Sequence, residues 1–186
     1  MRPTLRPALF TAAIFAACAL PAAAQPAGSV TTDLLQGVTQ LEKKMLDLAR
    51  AIPADKYGWR PGTGVRSVGE VLLHVAADNY LLPAVVGFAA DPSTGIKGDD
   101  YQTAVAFEKR TMNKDATIAE LEKSFAHVKK SLTETPAARL GEKVSIFGQS
   151  FTTQQLWILT STHLHEHLGQ MIAYARSNDI APPWSR

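Results

Sequence analysis

Apolar residues recur at helical spacing along four stretches of the chain, separated by segments rich in proline, glycine and serine. From Thr31 the positions Leu34, Leu35, Val38, Leu41, Met45, Leu46 and Leu48 share one side of a helix that Pro53 ends. Asp33 falls in its first turn and Lys43, Lys44 and Arg50 come late, which suits the helix dipole. Gln25 to Val30 reads as a polar leader. Tyr57 to Val65 reads as a loop, interrupted by Pro61, Gly62 and Gly64.

Ser67 followed by Glu70 is a capping box that predicts a second helix, carrying Val71, Leu72, Val75, Leu81 and Leu82. It reaches Pro83 or, with a kink, Phe88. Asp91 to Asp100 is a connection, and Tyr101 to Met112 fits either a short helix or an ordered loop. Thr117 with Glu120 predicts the start of the next helix, which runs through Ile118, Leu121, Phe125, Val128 and Leu132 to about Glu134. Val144 to Phe147, backed by Gly148, suggests a short hairpin. Thr152 with Gln155 then opens the last and longest helix, to about Asn178. The expected fold is all-α: an up-down type four-helix bundle, with two longer connections able to hold a crossover.

The first 24 residues fall outside that pattern. Arg2 and Arg6 precede an apolar run from Ala8 to Leu20, and Pro21 with Ala22-Ala23-Ala24 follows. A basic start, a short apolar middle and a small-residue end form a secretory signal peptide, with cleavage near Ala24. The run is shorter than the roughly 20 residues of a membrane span. The expected domains are thus a signal peptide over 1–24 and the helical bundle over 25–186, in a secreted or periplasmic protein. A lesser alternative is a lipoprotein anchored at Cys18, with Phe15 a poor fit to that pattern.

Cys18 is the single cysteine, so a chain cleaved at Ala24 has no disulfide, thiol nucleophile or thiolate ligand. Removing Arg2 and Arg6 from 19 basic residues leaves 17 against 17 acidic ones. That balance gives no electrostatic reason to expect nucleic acid or an anionic membrane as partner.

The chemistry lies in the histidines. His163 and His167, four residues apart in Thr162-His163-Leu164-His165-Glu166-His167, share one helix face and can bind one ion. That face also carries Leu156, Thr160, Gln170, Met171 and Tyr174, so it points inward. His165 points the other way, as a surface residue or an outer hydrogen-bond partner. A third ligand is expected for a site that keeps positions open for chemistry. His74, on the core side of the second helix, is the candidate, because a bundle sets ligands from separate helices against each other. The alternative for all three is a set of core histidines with no metal. His127, beside Lys129 and Lys130, is expected to be solvated.

These residues resemble the DinB-like family of four-helix-bundle metalloproteins, from about Thr31 to Ile180. The matching features are Gly58-Trp59-Arg60-Pro61, Arg66-Ser67-Val68-Gly69-Glu70 leading to Leu72-Leu73-His74, and His163-x-x-x-His167-x-Gly169-Gln170 before Ile172-Ala173-Tyr174-Ala175-Arg176. The resemblance implies that His74, His163 and His167 hold one divalent ion, with a hydrogen-bonding or packing role for Gln170. Many relatives have a histidine just before the last ligand, where this chain has Glu166. Glu166 lies about 100° round the helix from His167 and is no obvious ligand.

Three neutral imidazoles suit a divalent transition metal, zinc or nickel first, over magnesium or calcium. The family has members that are thiol S-transferases and others presumed hydrolases, so a metal-dependent enzyme of either kind is expected. Asp78, one turn after His74, is the candidate catalytic group, as an outer acceptor or a water-holding base, with a surface acid as its alternative. The competing function is a non-catalytic metal-binding or small-ligand-binding module. The substrate is a small molecule that the sequence does not specify, and a homodimer through an exposed helix face stays open. Trp59, Trp157 and Trp184 read as loop anchor, core and tail.

Overall fold

The computed structural model describes residues 28–185; the expected signal peptide, its expected cleavage site and Cys18 lie outside them. Among the described residues five α-helices and one hairpin build the fold: α1 (Gly28–Ala51), α2 (Val68–Val85), α3 (Tyr101–Glu108), α4 (Lys114–Glu134), β1 (Lys143–Ile146), β2 (Gln149–Thr152) and α5 (Thr153–Arg176). The four long helices form the expected bundle, and α3 with the hairpin packs against its side. Among the described residues no helix is long and apolar enough to cross a membrane.

The bundle is not a simple up-down array. Each of α1 and α2 packs against both α4 and α5, so α1 and α2 lie diagonally opposite, as do α4 and α5. The α1–α2 and α4–α5 connections therefore both cross a diagonal. Around the bundle the order is α1, α4, α2, α5, which makes α2 and α5 neighbours.

Helix α2 is covered on nearly every side, by α3, α4, α5 and β1. Thirteen of its residues are buried; Tyr80 aside, two of them, Asp78 and Asn79, are polar or charged, and His74 beside them is partly covered. A buried polar group needs a partner. Asn79 finds one, its Nδ2 donating to Ser124 Oγ at 3.0 Å. His74 and Asp78 turn toward α3 and α5.

Two of the expected helix starts stand as read, with both reciprocal bonds of the box present at Ser67/Glu70 and at Thr152/Gln155. The third is a correction. Helix α4 begins at Lys114, capped by Asn113, whose side chain accepts from Ala116 N at 2.9 Å. Thr117 instead donates to Asn113 O, and Glu120 accepts from Tyr80 OH at 2.8 Å. A good cap four residues upstream, with helix-tolerant residues after it, lengthens the helix past the one the box suggested. Helix α1 also starts before Thr31, so Asp33 sits beyond its first turn. Helix α2 carries Pro83 in its last turn and ends at Val85, with Gly87 at φ 95° behind it.

The hairpin pairs Ile146 with Gln149 across Phe147 and Gly148, at φ 55° and 71°. Two successive left-handed residues form the tight turn that suits the strands' twist. Segment 91–100 is held by a close approach: a Cβ at Gly98 would lie 2.5 Å from the carbonyl of Ala84. Backbone cannot swing aside as a side chain can, so Gly98→Ala is expected to cost at least ~1–3 kcal/mol. A drop in thermal midpoint, with Gly95→Ala run beside it, checks this.

Candidate metal centre

The capping boxes fix the register of α2 and α5, and the diagonal crossings set those helices side by side. Together they aim His74 of α2 at His163 and His167 of α5. His163 Nε2 lies 3.2 Å from His74 Nε2 and 3.0 Å from His167 Nε2. One ligand atom from each of the three falls within 4.8 Å of the others, a group that could hold a metal ion.

The outward nitrogens have partners that decide the protons. His74 Nδ1 lies 2.6 Å from Glu108 Oε1. Burial works to raise the Glu108 carboxyl, but bonds from His74 and Arg66 outweigh it and hold it below the usual range. An ionised carboxylate only accepts, so His74 Nδ1 carries the hydrogen, and in the neutral ring its Nε2 offers a lone pair. A longer chain settles His167. Arg66 O can only accept, so Tyr174 OH donates to it at 3.1 Å and receives Gln170 Nε2 at 3.0 Å. That leaves Gln170 Oε1 facing His167 Nδ1 at 2.8 Å, so this nitrogen donates and His167 Nε2 is also a lone pair. Burial pushes His167 down to about 4, so the ring is neutral at neutral pH.

Asp78 completes the cluster. Its Oδ2 lies 3.1 Å from His163 Nε2 and 3.5 Å from His74 Nε2. Two imidazole lone pairs and a carboxylate oxygen thus crowd His163 Nε2, which can carry one hydrogen at most. Three acceptors around one donor is a poor arrangement for protons and a good one for a cation. The spacing agrees: zinc–imidazole bonds of ~2.0–2.1 Å in a tetrahedron set their nitrogens roughly 3.3–3.4 Å apart. All-nitrogen donors with one oxygen nearby suit a transition metal over magnesium or calcium.

A cleft of about 270 Å³ opens onto this cluster, lined by His74, Asp78, His163, Leu82, Leu159, Tyr101 and Phe147. Leu82 and Leu159 form its walls, while Tyr101 of α3 and Phe147 of the hairpin turn meet edge to face at its rim, 5.3 Å between ring centres.

Of the other residues singled out from sequence, His165 is exposed, its Nδ1 2.7 Å from Ser161 O, and Glu166 is exposed as well. Asp78 is 8% exposed, which removes the surface-acid alternative. His127 is a correction. It is half-buried, its Nε2 3.2 Å from Phe88 O and its ring beside Tyr80, because Lys129 and Lys130 project elsewhere on the helix. Trp59 anchors its loop on the Tyr174 ring, at 5.3 Å, and Trp157 is core.

Sequence reading missed Glu108. It is the carboxylate of a carboxylate–histidine pair, braced in turn by Arg66 Nη2 at 2.9 Å. Such partners orient a metal-binding imidazole and raise its basicity, and losing one typically costs about 10–100-fold in metal affinity. Glu108→Gln is expected to weaken metal binding by about that factor without unfolding the chain. Competition with a chelator of known affinity reads the change.

A family model described as the DinB superfamily matches residues 38–171. Among solved structures, a DinB-like protein from Bacillus cereus aligns with 15% identity and TM-score 0.66, covering 82% of this chain and 95% of that one. A DinB-like protein from Bacillus subtilis, YjoA, gives 19% identity and TM-score 0.57 over 79% and 92%. A mycothiol-dependent maleylpyruvate isomerase gives 14% identity and TM-score 0.60, over 76% of this chain and 60% of the isomerase. At these identities the likeness is one of fold. No curated protein matches the sequence.

Proposed function

This chain belongs to the DinB superfamily, and we propose that it is an exported metal-dependent enzyme, a hydrolase before a thiol transferase. His74, His163 and His167 would hold one divalent transition metal, zinc or nickel. The observation that carries this reading is the crowding of lone pairs and the Asp78 carboxylate around His163 Nε2. A divalent ion there supplies Lewis acidity, which acidifies water and polarises a carbonyl oxygen.

The chain's own groups take the remaining tasks. Glu108 and Gln170 fix the tautomers of His74 and His167, so both Nε2 atoms face inward. Asp78, within reach of the His163 and His74 Nε2 atoms, would accept a proton from water entering through the cleft and return it to a leaving group. Leu82 and Leu159 limit how much other water comes with it.

Export rests on the basic start, apolar run and small-residue end of residues 1–24. It favours hydrolysis, since an exported protein meets less reduced small thiol than a cytoplasmic one. Thiol transfer keeps the support of the isomerase's shared fold. Elemental analysis of the untagged protein expressed from Gln25, beside His74→Ala, tests the centre. About one zinc or nickel per chain, lost in the variant, is expected; no metal after reconstitution would remove the mechanism. A panel of esters and small thiols then separates the two reactions.

A further inference from the structure

Phe147 stands at a position where its residue type costs the fold twice. It has φ 55° in a two-residue turn, a conformation that favours asparagine, aspartate or glycine and disfavours a bulky side chain. The residue is also 54% exposed. Tyr101, at the start of α3, is 43% exposed and meets the Phe147 ring edge to face. Backbone strain and apolar exposure at one spot suggest a task beyond folding. Both rings line the mouth of the cleft whose floor is His74, Asp78 and His163.

From this we propose that Tyr101, Phe147, Leu82 and Leu159 form a specificity pocket for an uncharged carbonyl compound bearing one ring-sized apolar group. The proposal rests on the metal-centre reading for the carbonyl end and on the cleft alone for the apolar end. The chemistry of the lining sets the class. Among the described residues no lysine or arginine lines the cleft, and Asp78 is part of its lining, so an acidic substituent finds no counter-ion there and meets a carboxylate. The volume, about 270 Å³, lies at the small end of ligand sites and admits one ring rather than a large conjugate. The aromatic pair offers edges and faces to a third ring, at geometries aromatic groups prefer. The carbonyl of a bound ester or amide then points to the imidazole cluster, and the Asp78 carboxylate lies beside it.

Two hydroxamates with the same metal-seeking head, one carrying a phenyl ring and one a methyl group, test this. In calorimetric titration of the zinc-loaded protein, benzohydroxamate is expected to bind roughly tenfold tighter than acetohydroxamate. In Phe147→Asn, which suits the left-handed turn, the difference should shrink to about twofold with zinc content unchanged. Equal affinities in the parent, or undiminished discrimination in the variant, would overturn the pocket. A second titration, of the metal-free protein with benzyl alcohol, follows the Tyr101 ring signals by NMR. They should move in the parent and stay still in Phe147→Asn. This arm needs no metal. A chain that takes up no zinc yet moves Tyr101 loses the centre and keeps the pocket; one that binds zinc and shows neither effect does the reverse.

Discussion

His167→Ala is expected to lower metal content from about one ion per chain to a few per cent after gel filtration, and His163→Ala to do the same. Each removes one of three imidazoles that meet within 4.8 Å, and the two left, one on α2 and one on α5, make a far weaker site than three. His167→Ala also strands Gln170 Oε1, the last link of the chain from Arg66 O through Tyr174 OH. Alanine is the strongest helix former, so α5 should keep its helicity, and circular dichroism can show that the loss is local. His165→Ala and His127→Ala serve as controls. His165 is exposed and His127 faces Phe88 O, so both variants should retain the ion. Stoichiometric metal in a His163→Ala/His167→Ala double variant would sink the assignment.

The second large effect is expected at Asp78. Asp78→Asn keeps the size of the side chain and its buried place on α2 while removing the charge and the basic oxygen. If Oδ2 moves the proton, turnover should fall by about 10²–10⁴, the usual worth of a positioned general base. Metal content should change little, because the three imidazoles remain. The measurement is kcat on the best ester of the panel, with metal per chain determined on the same sample. Unchanged turnover would leave Asp78 as a structural acceptor for the imidazoles. Loss of metal in step with activity would make it a ligand rather than a base.

The features legible in the sequence are those fixed by near neighbours. The boxes at Ser67 and Thr152 each depend on a residue three positions away, and the structure contains both in full. The common face of His163 and His167 follows from helical spacing, and so does the closeness of Asp78 to His74. Thr117 shows the limit of the same reasoning, since Asn113 satisfies the helix start first. Glu108 was out of reach for another reason. It meets His74 only because α3 docks on α2, 34 residues along the chain, and no local pattern announces that docking. His127 was misread from charges adjacent in sequence but not in space. The diagonal order of the bundle was left open because connection length permits a crossover without requiring one.

That diagonal order bears on when the protein could first acquire an ion. His74 and His163 are 89 residues apart, and the helix carrying two of the three imidazoles is the last to be synthesised. It docks between α1 and α2, so everything made before it offers only His74 of the three, with carboxylates that bind transition metals loosely. A chain in which α5 has not yet been made therefore presents no three-imidazole site, and one threading an export channel on the proposed route keeps His74 apart from the other two. The ion would be drawn from the compartment where α5 finally seats, and that compartment's metal supply, more than the site's own preference between zinc and nickel, would determine which ion the mature protein carries.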